Sequence, residues 1–381
     1  MFRRARIDCP GRNVRGRKAR LIGGVAILLA AHGCATKRSS PSSTVPPAPR
    51  SVACQTLETA AAGGPPPPAS TIVLRWLGTA NFEVAYEDQV ILLDAFFDRG
   101  PRNRSIGVTA EEIKHVNLIL IGHAHWDHIA DAARIAQETG ALVVGATSAV
   151  RVVQAAGLPE DQTRIVTGRG GEVLQFDRFK VEPVLAHHSV LQPGVLGKFG
   201  EAMAVVDGAP SAEAAVAEAA IKARGSNDSS IDSEGTLAYL LTFGTGFRLI
   251  WLDSAGPITE EERRLMERIG GVDVAIVAYQ GQFLARPQVA ATLPLVSLFH
   301  PQLYLPAHHD ELAGLFPDLG IEPLLMAIRD SLPGTRAVAP LYRTPICLSA
   351  QGGGSKARHD GVRQPEEPGE GGRRTPFEGG R

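Results

Sequence analysis

Four cysteines in 381 residues are too few to carry a fold on disulfides, and no two of them stand in the CxxC spacing of a thiolate metal site. Cys9 and Cys34 fall near the start, leaving Cys54 and Cys347, so no disulfide framework is expected. Charge of one sign is also missing. The 39 Lys and Arg against 40 Asp and Glu give a formal net charge of −1, and no global field draws the chain to nucleic acid. The apolar run Leu21 to Ala31 falls short of the roughly 20 residues that a spanning helix needs. What remains is ordinary globular material, 44% hydrophobic and 21% charged, enough for the core of one catalytic domain with disordered ends.

The ends are distinctive. Arg3, Arg4, Arg6, Arg12, Arg15, Arg17, Lys18 and Arg20 precede that apolar run, the order of an export signal. The run stops at Ala31-His32-Gly33-Cys34, which resembles a bacterial lipobox, in which Cys34 would be lipidated and become the mature N-terminus. Residues 1–34 therefore read as a signal peptide, and the expected location is extracytoplasmic, lipid-anchored on the periplasmic side of a bacterial membrane. Residues 35–70, rich in Pro, Ser, Thr, Ala and Gly, read as a disordered tether. Residues 71–350 read as the catalytic domain, and the Gly-, Arg-, Glu- and Pro-rich residues 351–381 as a disordered tail; His359 in that tail stays outside the chemistry.

Within the domain, β-branched and aromatic runs broken by turn residues predict strands over 72–77, 82–86 and 90–93. Unbroken apolar character predicts a buried strand over 117–121, and a helix follows over 129–138. Further strands are expected over 141–144, 164–166, 172–176, 179–185, 236–243, 247–253, 272–278 and 302–305, and helices over 148–155 and 259–269. Thr259 and Glu262 form the capping-box pattern at the start of the last helix, and Gly244-Thr245-Gly246 signals a hairpin. Two β-rich halves, each interleaved with helices, predict an α/β (α+β) fold: two sheets face to face with helices outside. Residues 189–234 interrupt this pattern as an insertion with an alanine-rich helix from about Ala212 to Arg224, a candidate lid.

The chemistry concentrates in His123-Ala124-His125-Trp126-Asp127-His128, directly after a buried strand. Imidazole nitrogen and carboxylate oxygen suit zinc and similar metals. In an extended stretch His123 and His125 share one side, while Asp127 and His128 begin a turn and can serve a second ion. This HxHxDH pattern resembles the metallo-β-lactamase superfamily. The wider chain resembles its branch of UlaG-like lactonases and N-acyl-phosphatidylethanolamine phospholipase D-like proteins, through Trp76-Leu77-Gly78-Thr79-Ala80-Asn81-Phe82, Leu92-Leu93-Asp94-Ala95, Ile119 to Asp131, His187-His188-Ser189, Trp251-Leu252-Asp253-Ser254-Ala255-Gly256 and Leu305-Pro306-Ala307-His308.

The resemblance implies a four-layer αββα sandwich with two divalent ions, Zn2+ foremost and Mn2+ or Fe2+ as alternatives. It implies one ion on His123, His125 and His188, a second on Asp127, His128 and His308, and Asp253 bridging. His187 and His309 are the alternatives within the two His-His doublets, and each is a candidate proton donor to a leaving group. Leu252 and Ser254-Ala255 replace the flexible glycine-flanked pattern that the family has around Asp253. Asp94 is expected to orient a ligand histidine, and Asp131 to cap the following helix. The implied activity is hydrolysis of an ester, lactone or phosphodiester by a hydroxide held between the ions, with Asp127 in the reacting centre. The implied substrate is a small or lipid-like molecule; Val190, Leu191, Val195, Leu196 and Phe199 of the insertion are compatible with a lipid. The rival expectations are a mononuclear iron enzyme of the same fold and a tethered metal-binding protein without catalysis. His125 stands where the flavodiiron branch has Glu, which disfavours that branch.

Overall fold

The computed structural model describes residues 56–190, 210–226, 235–244, 246–279, 281–310 and 320–350, of which 281–286 as backbone only. Numbered along the chain, β1 (Thr71–Trp76), β2 (Phe82–Tyr86), β3 (Gln89–Leu93), β4 (Leu118–Leu120), β5 (Leu142–Gly145), β6 (Thr163–Ile165) and β14 (Ile346–Ser349) form one sheet in the order β14-β1-β2-β3-β4-β5-β6. The other contains β7 (Leu174–Gln175), β8 (Phe179–Leu185), β9 (Leu237–Phe243), β10 (Phe247–Leu252), β11 (Val274–Ala278), β12 (Leu303–Ala307) and β13 (Arg336–Ala337), in the order β13-β12-β11-β10-β9-β8-β7. Each sheet changes halfway from antiparallel to parallel pairing, at β3 in the first and at β10 in the second.

Side-chain alternation explains the layers. Ile72, Leu74 and Trp76 of β1 enter a core between the sheets, where they join Tyr239, Leu241, Trp251 and Ile276. Val73 and Leu77 face the opposite way, into a second core with Ile135 and Ala136 of α2 (Ala132–Thr139) and Ala149 and Val153 of α3 (Thr147–Ala155). A third core packs Ile250, Ala275 and Val277 against Leu265 of α5 (Glu260–Ile269), Val296 of α6 (Gly281–Phe299) and Leu324 of α7 (Glu322–Ser331). The result is the four-layer αββα sandwich expected from the sequence. Strands covered on both faces need apolar residues throughout, which is why Leu118–Leu120 and Val274–Ala278 show no alternation.

The predicted strands stand within one or two residues of the observed ones. The helix expected over 129–138 is instead the short α1 (Trp126–Ile129) followed by α2. Helices α6 and α7 and strands β13 and β14 had no counterpart in the sequence pattern; Pro287 and Pro294 lie inside α6 and read as breaks. The predicted insertion helix is α4 (Ala212–Lys222). Leu191, Val195, Leu196 and Phe199 lie outside the described residues, as do 1–34 and 351–381, while Val190 is exposed. No described helix is long and apolar enough to cross a membrane.

Two expectations about the ends are corrected. The tether assigned to 35–70 gives way to folded chain by Thr56. Ala60 and Ala61 are buried, and their N–H groups donate to the Glu83 carboxylate at 3.1 and 2.7 Å. Glu83 also pairs with Arg75 across β1 and β2 at 2.7 Å, so one buried ion pair holds the entering chain. Two alanines carry no periodic signal, and the sequence pattern therefore missed this contact. Secondly, Cys347 in β14 is disulfide-bonded, to a partner outside the described residues.

Helix α5 begins with the predicted capping box: the Glu262 N–H donates to the Thr259 hydroxyl at 3.1 Å, and the Thr259 N–H donates to the Glu262 carboxylate at 2.7 Å. Burial raises the Glu262 carboxyl from the ordinary 4.5 to about 7, and its Oε1 has no hydrogen-bond partner. Between those two pH values the folded state keeps a proton that the unfolded chain has released, so stability is lost as pH rises and the loss is complete above about 7. The cost is on the order of 3 kcal/mol. Glu262→Gln keeps a capping side chain without the charge. It should unfold at a higher temperature than the parent at pH 8 and show little difference near pH 5; equal melting curves at both pH values would contradict this account.

Candidate metal centre

All the candidate ligands follow strand ends. Asp94 follows β3, His123 to His128 follow β4, His187 and His188 follow β8, Asp253 follows β10, and His308 follows β12. β3 and β4 are parallel; β8 and β10 are each antiparallel to β9, and β10, β11 and β12 are parallel. Within each sheet these ends therefore share one edge. The turn after β1 lies there too and joins the sheets: the His308 N–H donates to the Thr79 carbonyl at 2.7 Å.

The histidines are held by carboxylates. Asp253 Oδ2 lies 2.6 Å from Nδ1 of His123 and 3.3 Å from Nδ1 of His128. Asp94 Oδ2 lies 2.5 Å from Nδ1 of His128, and Asp94 Oδ1 accepts the Gly122 N–H at 3.1 Å. Burial, and then neighbouring imidazoles, push the His123 and His128 rings well below their ordinary pKa, so both are neutral. A neutral ring that donates Nδ1–H to a carboxylate presents a lone pair at Nε2, the form that binds a metal. His123 Nε2 faces His125 Nδ1 at 2.9 Å, and His128 Nε2 faces His308 Nε2 at 3.1 Å. Asp127 Oδ2 stands 3.6 Å from both His128 Nε2 and His308 Nε2.

Among the described residues three groups of donor atoms result, each with its atoms within 4.8 Å of one another: His123, His125 and His188; Asp127, His128 and His308; and His123, His128 and Asp253. The donor set suits divalent cations, and Asp253 supplies a second sign. Its Oδ1 is fully buried without a hydrogen-bond partner, and an uncompensated buried carboxylate oxygen is costly unless a cation or donor meets it. Burial raises the Asp253 carboxyl, and burial together with the Asp253 charge raises that of Asp94 well above the usual range; a cation would offset both.

The structure also separates the doublets. His188 lies with His123 and His125, at ring separations of 4.7 and 4.9 Å. His187 instead places Nδ1 2.9 Å from the Pro257 carbonyl. His308 joins His128, whereas the His309 ring stacks on Trp76 at 4.2 Å and 13°. His187 and His309 therefore stand beside the donor groups and not among them. Leu252, which replaces a glycine of the family pattern, is the last residue of β10 and is buried in extended strand. Gly122 leaves no room for a side chain: a Cβ there would lie 2.1 Å from the Asp253 carboxylate. Asp131, expected as a cap, makes no capping bond. Its Oδ2 takes the N–H groups of Phe97 and Asp98 at 2.6 and 2.8 Å, and its Oδ1 takes Arg224 at 2.7 Å.

Two supports were missed from the sequence. Asp310 is buried behind His308 and accepts from the Thr79 N–H at 2.8 Å, from Arg99 at 2.7 Å and from the Tyr342 hydroxyl. Burial opposes its charge, but Arg99, His309 and these hydrogen bonds hold the carboxyl below its usual range. On the other side, Ser226 of the insertion donates to the Ala124 carbonyl at 2.8 Å and accepts from the Trp126 N–H at 3.2 Å. Gly225 permits this, because a Cβ there would lie 2.3 Å from the Trp126 Cα.

Two facing sheets with a histidine and aspartate cluster on one edge define a metal-site sandwich. Residues 89–308 match the Beta-lactamase superfamily domain, and the chain belongs to that family. It is 27% identical over 249 residues to a UPF0173 metal-dependent hydrolase of Anaeromyxobacter dehalogenans (strain 2CP-C), covering 65% of this chain and 77% of that one. A relative of the same description from Anaeromyxobacter sp. (strain K) is 27% identical over 270 residues, covering 70% and 82%. Among solved structures, Igni18, a metallo hydrolase of the archaeon Ignicoccus hospitalis KIN4/I, shares the fold with a TM-score of 0.50 at 16% identity, covering 73% of this chain and 98% of that one.

Proposed function

We propose that the chain is a metal-dependent hydrolase with two divalent cations, zinc foremost, that cleaves an ester, lactone or phosphodiester. The observation that carries this reading is the convergence of carboxylate-anchored imidazoles: neutral His123 and His128 turn Nε2 toward His125 and toward His308, with Asp253 grouped with both and its Oδ1 buried without a hydrogen-bond partner. His123, His125 and His188 would hold one cation and Asp127, His128 and His308 the other, with Asp253 available to both. Cations held in this way supply Lewis acidity toward a carbonyl or phosphoryl oxygen and a nucleophile drawn from water at neutral pH.

The chain's own residues set the conditions for that chemistry. Asp94 and Asp253 fix the Nδ1 protons of His128 and His123, so each ring offers a single nitrogen in a fixed direction. Burial of these rings keeps bulk water from competing for their lone pairs. The relatives named metal-dependent hydrolases support the class of reaction; the substrate is proposed as small or lipid-like, on the outer side of a bacterial membrane to which Cys34 anchors the chain. His309, one residue from His308, and His187, one from His188, are the candidates to pass a proton to a departing group.

The test uses the purified full chain, stripped with a chelator and reloaded with zinc or manganese. About two equivalents of metal are expected, with metal-dependent turnover in a screen of chromogenic phosphodiesters, lactones and acyl esters. A loaded protein silent toward all three classes, or one that retains no transition metal, would refute the proposal. An iron spectrum with oxygen consumption would replace it.

A further inference from the structure

Cys347 in β14 lies opposite Val73 of β1, is 4% exposed and is disulfide-bonded. The chain has three other cysteines, Cys9, Cys34 and Cys54. We propose that its partner is Cys54, so that a covalent link fastens the entering chain to the last strand. Val73 and Cys347 share a core with Ala60 and Ala61, so the entering segment packs on the same face of this sheet. Arg75, two residues along β1 from Val73, donates to the Thr56 carbonyl at 3.5 Å. Alternate residues of a strand share a face and stand about 7 Å apart. Cys54 is two residues before Thr56, and two residues of chain span up to about 7 Å. That reach matches the separation of Val73 from Arg75 along β1, and a disulfide needs Cα atoms roughly 5.5 to 6 Å apart.

Cys34 and Cys9 are alternatives of a different kind. Both fall in the stretch read as a signal, where cleavage would remove Cys9 and lipidation would occupy the Cys34 sulfur. The bond forms by thiol–disulfide exchange with a disulfide-bearing oxidant. The Cys54 thiolate attacks the oxidant's disulfide and releases one of its thiolates; the Cys347 thiolate then attacks the Cys54 sulfur and releases the other. Two protein thiols are oxidised, the oxidant is reduced to two thiols, and the two protons pass to them. Such bonds persist in oxidising compartments. The link therefore bears on the extracytoplasmic location without resting on the metal site.

The full chain is equilibrated with reduced and oxidised glutathione, digested without reduction and examined by mass spectrometry, and melting is followed with and without dithiothreitol. The expected result is a species that joins the Cys54 peptide to the Cys347 peptide. Reductant should lower the wild-type melting temperature by about 5 to 10 °C, while Cys54→Ser melts at the lower value under both conditions. Cys34→Ala, as the control, should keep the linked species. The proposal is overturned if Cys347 is a free thiol or is joined to Cys9 or Cys34, or if Cys54→Ser keeps the parent's melting temperature and its response to reductant.

Discussion

His123→Ala should lose both bound metal and turnover, and by more than the roughly 10- to 100-fold in affinity that removal of an outer-shell partner costs. The reason is the position of His123 in two of the three donor groups. Its Nε2 points toward His125 and its Nδ1 toward Asp253 Oδ2. Removing the ring takes a donor from the site proposed for the first cation and also leaves Oδ2 of a fully buried carboxylate without its nearer partner. The remaining His128 contact at 3.3 Å is already committed to Asp94. Metal content per chain should fall to one equivalent or less, and hydrolysis of any substrate found in the screen should fall at least a thousandfold, on the order expected when the metal's Lewis acidity is removed. A His123→Ala protein with full metal content and unchanged turnover would dismiss the site.

The second large effect is expected at a residue with no side chain. Gly122→Ala would put a Cβ 2.1 Å from Asp253 Cγ and Oδ2, far inside contact distance. The backbone has little freedom to retreat: the Gly122 N–H is bonded to Asp94 at 3.1 Å, and its carbonyl accepts from Leu237 at 2.8 Å. The carboxylate must move, and with it the orientation of His123. Overpacking of this kind costs about 1 to 3 kcal/mol, and loss of the orienting bond about 10- to 100-fold in metal affinity. Circular dichroism should show a folded protein, while a metal titration shows the weakened site. Parent-like affinity for both equivalents would show that the Asp253 contact has no part in holding the metal.

How much of this was legible in the sequence depended on distance along the chain. His123 to His128 fall within six residues after a buried strand, so residue type and order sufficed. The strands were readable because Ile72, Leu74 and Trp76 alternate with residues of another core, or because, as at Leu118–Leu120, both faces are covered. The doublets were not resolvable in this way: His187 and His188 are neighbours, and only the placement of Pro257 and of the His123 and His125 rings separates them. The Arg99 and Asp310 pair joins residues 211 positions apart, beyond any local pattern. Helix α6 was hidden by its two prolines, and the entry segment by the brevity of its contact.

The two sheets share the site unequally. His123, His125, Asp127 and His128 belong to loops of the first, while His188, Asp253 and His308 belong to loops of the second. Each of the three donor groups thus takes two ligands from the first sheet's loops and one from the second's, so all three cross the seam. A cation bound there would act as a rivet between half-sandwiches. Its binding energy would add to the work of parting them, since the separated halves retain no complete set of ligands. Chelation should therefore loosen the seam first, and amide exchange should quicken in the strands of the inner core before it does beneath the outer helices.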